Sequence, residues 1–315
     1  MRHLDLKPIA ALALTATLIV SALGILAPLF LPKNNEASFG QLDPEAHGVL
    51  GEPRDTLDVL FLGDSEVYTS LSPIQMWREH GFASYDVSTS AQPLPYTRTL
   101  LTRALSEQSP RVVVLETNML FRRVSPDKAL WRELADRLPI LEYHNRWKSL
   151  RGVDTSAQIK TTWTDPSKGF RANDKIVPSR NTGYMKRTDK RAHIPLLNQY
   201  YLDTIIDMCR ERDIQVVLLS TPSTKNWSWK RHNAVEHYLD ERPDLSGVTY
   251  LDLNLEPQVA IDWKRDTRDG GDHLNRTGAR KVSAYVGSWL AEHYDLPDHR
   301  VDAAYRPWNA AAKTA

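Results

Sequence analysis

Two periods of apolar and polar positions alternate along this chain, and together they predict a layered α/β domain. Short apolar runs stand at 57–62, Ser84–Val87, Arg111–Leu115, Ile214–Leu219 and Val248–Leu253, each of strand length. Between them, helical spacing predicts helices at 73–80, 96–107, 127–137, 195–211, 228–240 and 277–294. The last of these follows Asn275, a suitable N-cap, and repeats Val282, Tyr285, Val286, Trp289 and Leu290 on one face. Strands alternating with helices predict a parallel sheet covered on both sides. No internal repeat is visible, and no GxGxxG or GxxxxGK[ST] follows any strand, so a nucleotide site has no support. From about 146 to 192 neither period holds, which predicts an insertion made of loops.

Before the first strand the pattern is different. Ile9 to Leu31 is almost purely apolar, and about 20 such residues suffice to cross a bilayer. Arg2, His3 and Lys7 precede the run, so the positive-inside rule puts the N-terminus in the cytoplasm and the rest of the chain outside. Ser21-Ala22-Leu23-Gly24 offers small residues for signal-peptide cleavage, but the run continues through Phe30 and Leu31, which favours an uncleaved anchor. The next stretch is polar and rich in Pro and Gly, as a tether would be. The expected organisation is therefore an anchor at 1–32, a linker at 33–56, a domain at 57–295 carrying the insertion, and a tail at 296–315.

Composition narrows the partners only locally. Lys and Arg number 40 against 39 Asp and Glu, so the whole-chain charge names none, and nine Trp with 14 Gly exclude a disordered or fibrous chain. The single cysteine, Cys209, lies in phase with Leu202, Ile205 and Ile206, which predicts a core position. Cys and His clusters are absent, so no metal site is expected. Charge is concentrated in the insertion, where Arg146, Lys148, Arg151, Lys160, Lys168, Arg171, Lys175, Arg180, Lys186, Arg187, Lys190 and Arg191 face only Asp154, Asp165, Asp174 and Asp189. This is either a solvated loop or a surface for an anionic polymer or lipid headgroups. Nucleic acid does not fit a domain outside the cell. Lys225-Asn226-Trp227-Ser228-Trp229-Lys230-Arg231 follows a strand and reads either as a sugar- or headgroup-binding face or as helix-packing tryptophans.

Candidate chemistry sits at the end of the first strand. Leu57 to Leu62 runs into Gly63-Asp64-Ser65, which delivers one serine to the carboxyl edge of the sheet, near a helix N-terminus. Alone, such a serine is a turn or N-cap residue. A nucleophilic serine needs a histidine, and His273 lies in Asp269-Gly270-Gly271-Asp272-His273-Leu274-Asn275.

On Gly63-Asp64-Ser65 and on the His273-Leu274-Asn275 block leading through Gly278-Ala279 into the last helix, residues 57–294 resemble the SGNH/GDSL hydrolase superfamily. More narrowly, the chain resembles the membrane-anchored branch that works beside membrane-bound O-acyltransferases in teichoic-acid D-alanylation and alginate acetylation. The resemblance implies an SGNH-like (flavodoxin-like) parallel sheet and no cofactor, with Ser65 as nucleophile and His273 as base. The family has an acid three residues before its histidine. Here that position is Gly270, which leaves Asp269, the preferred orienting acid, and Asp272 as the alternative. Ser88 stands where the family has an oxyanion-hole glycine, and Asn118 fits the family's asparagine, although alone it could be a turn residue. The implied activity is acyl transfer to a cell-envelope glycan or teichoic-acid-like polymer at the membrane. A secreted carbohydrate esterase and a non-catalytic SGNH-like scaffold for a membrane acyltransferase are the alternatives.

Overall fold

The structure, a computed structural model, describes residues 7–148, 158–181 and 183–314. It begins with helix α1 (Lys7–Phe30), which is long and apolar enough to cross a membrane. After a short 3-10 turn and helix α2 (Pro44–His47), the domain alternates strands and helices. The strands are β1 (Val59–Gly63), β2 (Ser84–Ser88), β3 (Val112–Glu116), β4 (Gln215–Ser220) and β5 (Val248–Asp252). Between β1 and β2 lie α3 (Ser65–Ser70) and α4 (Pro73–His80), and α5 (Leu94–Ala104) joins β2 to β3. Then come α6 (Pro126–Arg137), α7 (Pro139–Tyr143), α8 (Leu196–Arg210), α9 (Trp229–Asp240), α10 (Arg276–His293) and α11 (Arg306–Thr314).

All five strands fall within two residues of their expected bounds. They form one parallel sheet of order β2-β1-β3-β4-β5. The period of two along each strand sorts its side chains into two cores. Val59, Phe61, Val112, Val114, Val217 and Leu219 cluster with residues of α3, α4 and α10, among them Val67, Met76, Val282 and Val286. Leu60, Leu62, Val113, Leu115, Val216 and Leu218 cluster with Leu100, Leu202, Ile206 and Val235 of α5, α8 and α9. Each such fully buried side chain contributes about 1.5–3 kcal/mol. Cys209 is buried in this second core, as its phase predicts, and burial pushes its thiol up to about 12.

In this order the chain reverses direction between β1 and β3. Ligands of open α/β sheets bind outside the strand carboxyl ends at such a reversal, and only Asp64 separates the end of β1 from Ser65.

The stretch expected to be a tether is folded onto the domain. Ala46 and Val49 are core residues, and Tyr85 Oη donates to the Glu45 carbonyl at 2.9 Å. Asn35 donates to the His47 carbonyl at 3.0 Å and accepts from the Trp163 N–H at 3.0 Å. Polar composition suggested free chain, yet residues far away in sequence satisfy these polar groups. The expected tail is also packed. Tyr305 stacks on Trp77 with ring centroids 5.4 Å apart, and the Trp308 ring packs on Trp77 at a tilt of 40° with centroids 5.2 Å apart. Trp308 Nε1 donates to Glu52 Oε2 at 3.2 Å, and Glu52 forms a buried ion pair with Lys168 at 2.6 Å. Of the basic insertion, residues 158–181 and 183–192 contain no helix or strand, while Arg151 and Asp154 lie outside the described residues. Lys168 and Arg146 are buried, so the insertion is not simply a solvated basic surface.

Candidate active site

Gly63 closes β1 where the backbone runs tightly against β3: a Cβ at this position would lie 2.6 Å from Glu116 Cβ and 2.6 Å from Val67 Cγ2. The chain then turns directly into α3. Asp64 caps this helix, its Oδ1 accepting from the Glu66 N–H at 3.1 Å, and Ser65 is the first helical residue. The Ser65 N–H therefore belongs to the first turn, whose amides lack intrahelical acceptors. No helix was expected to begin here, because six residues are too few to show a helical period.

His273 arrives from the other end of the chain, in the loop before α10. A bridge between Thr267 and Leu274 closes that loop at its base. Within it Gly270 and Gly271 take φ of +83° and +91°, and a Cβ on Gly271 would lie 1.9 Å from Thr224 Oγ1. Only glycine fits that position. The turn folds Asp269 back under the imidazole. Asp269 Oδ1 accepts from the His273 N–H at 2.8 Å, and its Oδ2 lies 2.6 Å from His273 Nδ1. On the far side of the ring, His273 Nε2 is 2.7 Å from Ser65 Oγ. Serine and histidine are both partly exposed, with the His273 side chain at 17 %, so a substrate can reach them.

The structure thus brings together Ser65, His273 and Asp269. It sends Asp272 elsewhere: that carboxylate accepts from the Asn226 side chain, and its backbone carbonyl accepts from Ser223 Oγ at 2.9 Å. Although burial acts to raise the Asp269 carboxyl, the bonds from His273 outweigh it and hold the group below its ordinary value.

Asn118 and Ser88 lie close by in different roles. Asn118 Nδ2 donates to Asp64 Oδ2 at 3.0 Å, its Oδ1 accepts from Arg231 Nη1 at 2.6 Å, and its backbone N–H donates to Glu116 Oε2 at 2.8 Å. One side-chain N–H is therefore spent on Asp64. Ser88 is in register with Gly63 on β2, and its buried hydroxyl finds no partner among the described residues.

Sequence reasoning missed the charged floor beneath Ser65. Asp64, Glu66 and Glu116 are all buried there. Arg122 Nη2 pairs with Asp64 Oδ2 at 2.9 Å, and Asn226 Nδ2 donates to Glu66 Oε1 at 2.7 Å. Burial, reinforced by Asp64 and other neighbouring carboxylates, pushes Glu66 and Glu116 well above the usual carboxylate range. An upward shift of this kind disfavours negative charge beside the Ser65 turn. Asn226 and Arg231 come from the cluster after β4, whose Trp227 is a core residue bonded to Asp252 at 2.9 Å. The helix-packing reading therefore holds for Trp227, and the site takes the polar members. Their only signal in sequence was position after a strand.

Glu66, Asp272 and His273 offer donor atoms within 4.8 Å of one another. As a cation site the set is poorly suited, because both imidazole nitrogens are already engaged and the Asn226 amide spans the two carboxylates.

No family model and no curated protein matches the chain. Among solved structures it is similar to a presumed acylhydrolase from Bacteroides fragilis, with 11% identity over 78% of this chain and 92% of that one and a TM-score of 0.38. It is also similar to a presumed platelet activating factor from Streptococcus pneumoniae, at 14% identity over 78% and 89% with a TM-score of 0.40. A GDSL-like lipase from Bacteroides thetaiotaomicron matches at 12% identity over 75% and 88%, with a TM-score of 0.34. At scores this low the likeness carries no weight beside the geometry of the site itself.

Proposed function

We propose that this protein is a membrane-anchored serine acyl-transfer enzyme of esterase type, acting outside the cytoplasm on a cell-envelope polysaccharide or teichoic-acid-like polymer. One observation carries the reading: Ser65 Oγ, His273 and Asp269 form a continuous hydrogen-bonded chain with contacts of 2.7 and 2.6 Å. A scaffold would have no use for that alignment.

In the reaction, Ser65 Oγ attacks the donor's acyl carbonyl while His273 Nε2 takes the hydroxyl proton, and Asp269 holds Nδ1–H and steadies the imidazolium. The Ser65 N–H and the remaining Asn118 amide proton are the candidate donors to the tetrahedral oxyanion; the backbone near Ser88 could add a third. Collapse expels the donor's alcohol or thiol, which takes the proton from Nε2, and the acyl group remains as an ester on Ser65. An acceptor hydroxyl then gives its proton to Nε2 and attacks the ester, and Ser65 Oγ departs with that proton from Nε2 as the acyl group passes to the acceptor.

Transfer to a polymer rather than to water is supported by α1, which would keep the site beside membrane-held donors at high local concentration. It is also supported by the exposed Lys175, Arg180, Lys186, Arg187, Lys190 and Arg191 of the insertion. Part of this segment borders the histidine loop: the Gly270 N–H donates to the Val177 carbonyl, and Arg180, Lys225 and Gly270 line one cleft of about 570 Å³. An anionic polymer could lie there. A membrane-bound O-acyltransferase would be the natural supplier of the acyl group.

The test has two parts. A fluorophosphonate should label the full-length protein and fail to label Ser65→Ala, and persistent labelling of the variant sinks the nucleophile assignment. Polymer acyl content in cells carrying Ser65→Ala should fall. A rise would mean that the enzyme removes acyl groups, and no change would favour a scaffold.

A further inference from the structure

The base of α1 is fastened to the domain without slack. Arg146 Nη1 donates to the Phe30 and Leu31 carbonyls at 2.7 Å each, and Lys33 Nζ donates to the Pro28 carbonyl at 2.7 Å. Two cations thus bond to the Pro28 and Phe30 carbonyls of the last turn of α1 and to Leu31 just beyond it, where the helix dipole favours positive charge. At about 1.5 Å per residue α1 is roughly 36 Å long, against a hydrocarbon core of about 30 Å. If α1 spans the membrane, the part of the domain gripping its end has to sit at headgroup level.

That part of the domain is apolar and uncovered. Trp147 follows Arg146 in a 3-10 turn that touches α1, and Phe39 precedes Gly40, which abuts the Arg146 side chain. Helix α7 touches both α1 and α6. On α6, Leu130, Trp131 and Leu134 form a solvent-facing stripe at helical spacing, and Leu42 lines a cavity of about 800 Å³ together with Trp131. These six side chains are 41–63 % exposed, although soluble proteins rarely expose contiguous apolar patches of this kind. Exposed Arg123 and Lys128 line the same cavity beside exposed Asp127 and half-buried Asp43. The third acid there, Glu142, is buried and paired with Arg103 and Arg132, and Lys148 lies over the Trp147 ring. Aromatic and aliphatic groups with cations set among them match the interface of an anionic bilayer.

We infer that this face, from Phe39 and Leu42 across α6 to Trp147, is immersed in the lipid headgroup layer, so that the Leu42–Trp131 cavity opens toward the membrane. The same cavity is lined by Ala91, exposed just beyond β2, and by Arg122, which pairs with Asp64 beside Ser65. Through Arg122 this cavity borders the Asp64–Ser65 turn, so a lipid-held acyl donor seated in it would lie on the membrane side of the nucleophile, while the basic cleft beside Gly270 remains for the polymer. The inference rests on the reading of α1 as an anchor.

The test uses full-length protein reconstituted into phosphatidylglycerol–phosphatidylcholine vesicles whose acyl chains are brominated at shallow or at deep positions. Shallow bromines should quench tryptophan fluorescence more than deep ones, and Trp131→Phe with Trp147→Phe should remove most of that quenching. Both residues are exposed, so the variant should fold, and an unchanged melt confirms it. Protein that floats with carbonate-washed vesicles but shows no quenching of these two tryptophans leaves the anchor standing and overturns the immersed face. Protein that does not float with vesicles overturns both.

Discussion

At the scale of single residues, the orienting acid is the sharpest test of the site. Asp269 contacts both the imidazole and the backbone N–H of His273, whereas Asp272 is bonded to Asn226. Losing the orienting acid of such a triad costs on the order of 10⁴ in kcat. Asp269→Asn should therefore approach that loss in steady-state hydrolysis of an activated ester, with Asp272→Asn far milder; the reverse ranking would reassign the acid. The depressed carboxyl of Asp269 also carries a pH signature. A folded-state value below the unfolded one gives stabilisation that is complete above the unfolded value, about 3.9, and is lost as pH falls through the folded value. Thermal melts of wild type and Asp269→Asn should accordingly differ near neutral pH and converge only in strong acid. Convergence already at pH 6 would mean that the charge responsible is not Asp269.

At the scale of elements, α2 and the segments around it decide whether the domain is intact. His47 is buried, accepting from Arg103 Nη1 at 2.8 Å, with its Nδ1 3.1 Å from the Asp43 carbonyl. Burial and the adjacent Arg103 push its pKa down from 6.5 to about 4. The neutral ring then contributes stability in full above about 6.5, and the contribution drains away as pH falls toward 4. Such a shift corresponds to something on the order of 3 kcal/mol. Replacing His47 by Gln should flatten the dependence of Tm on pH across that window, and an unaltered slope would show that His47 titrates normally. The Lys168–Glu52 pair ties the insertion to the segment before β1, with Trp308 of α11 on the same carboxylate. Removing one partner of a buried pair typically costs 3–5 kcal/mol, because the other charge stays buried. Lys168→Ala should show roughly that loss in urea titrations, and Glu52→Gln in the same chain should restore much of it. A loss below about 1 kcal/mol would place the pair effectively at the surface.

At the scale of the whole molecule, a hydrophobic helix and a folded α/β domain are joined through a segment that is itself packed on the domain. If the positive residues before α1 remain in the cytoplasm, everything after Leu31 lies on the other side. A reporter fused after Ala315 should be active only when the fusion point is outside, and cytosolic activity at that point would reverse the orientation. The sheet reversal between β1 and β3 would then hold Ser65 above the membrane, within the reach that the docked base of α1 permits.

Much of this was written in local patterns. Strand-length apolar runs decided the five strands, helical spacing located the long helices, and one unbroken apolar run marked α1. Ser65 and His273 were legible because a strand end and a helix N-cap place them whatever the surroundings. Other features depended on residues far apart in the chain. Asp269, and not Asp272, contacts His273 because two glycines at positive φ reverse the loop, and Thr224, from the segment after β4, leaves no room for a side chain at Gly271. The upward-shifted carboxyls of Glu66 and Glu116 arise because β1, α3 and β3 converge on one buried point. Residues 33–56 read as free chain because their polar groups carry no local sign of the distant partners that satisfy them. Periodicity records which face of an element is buried, and only the closed tertiary structure decides what that face is buried against.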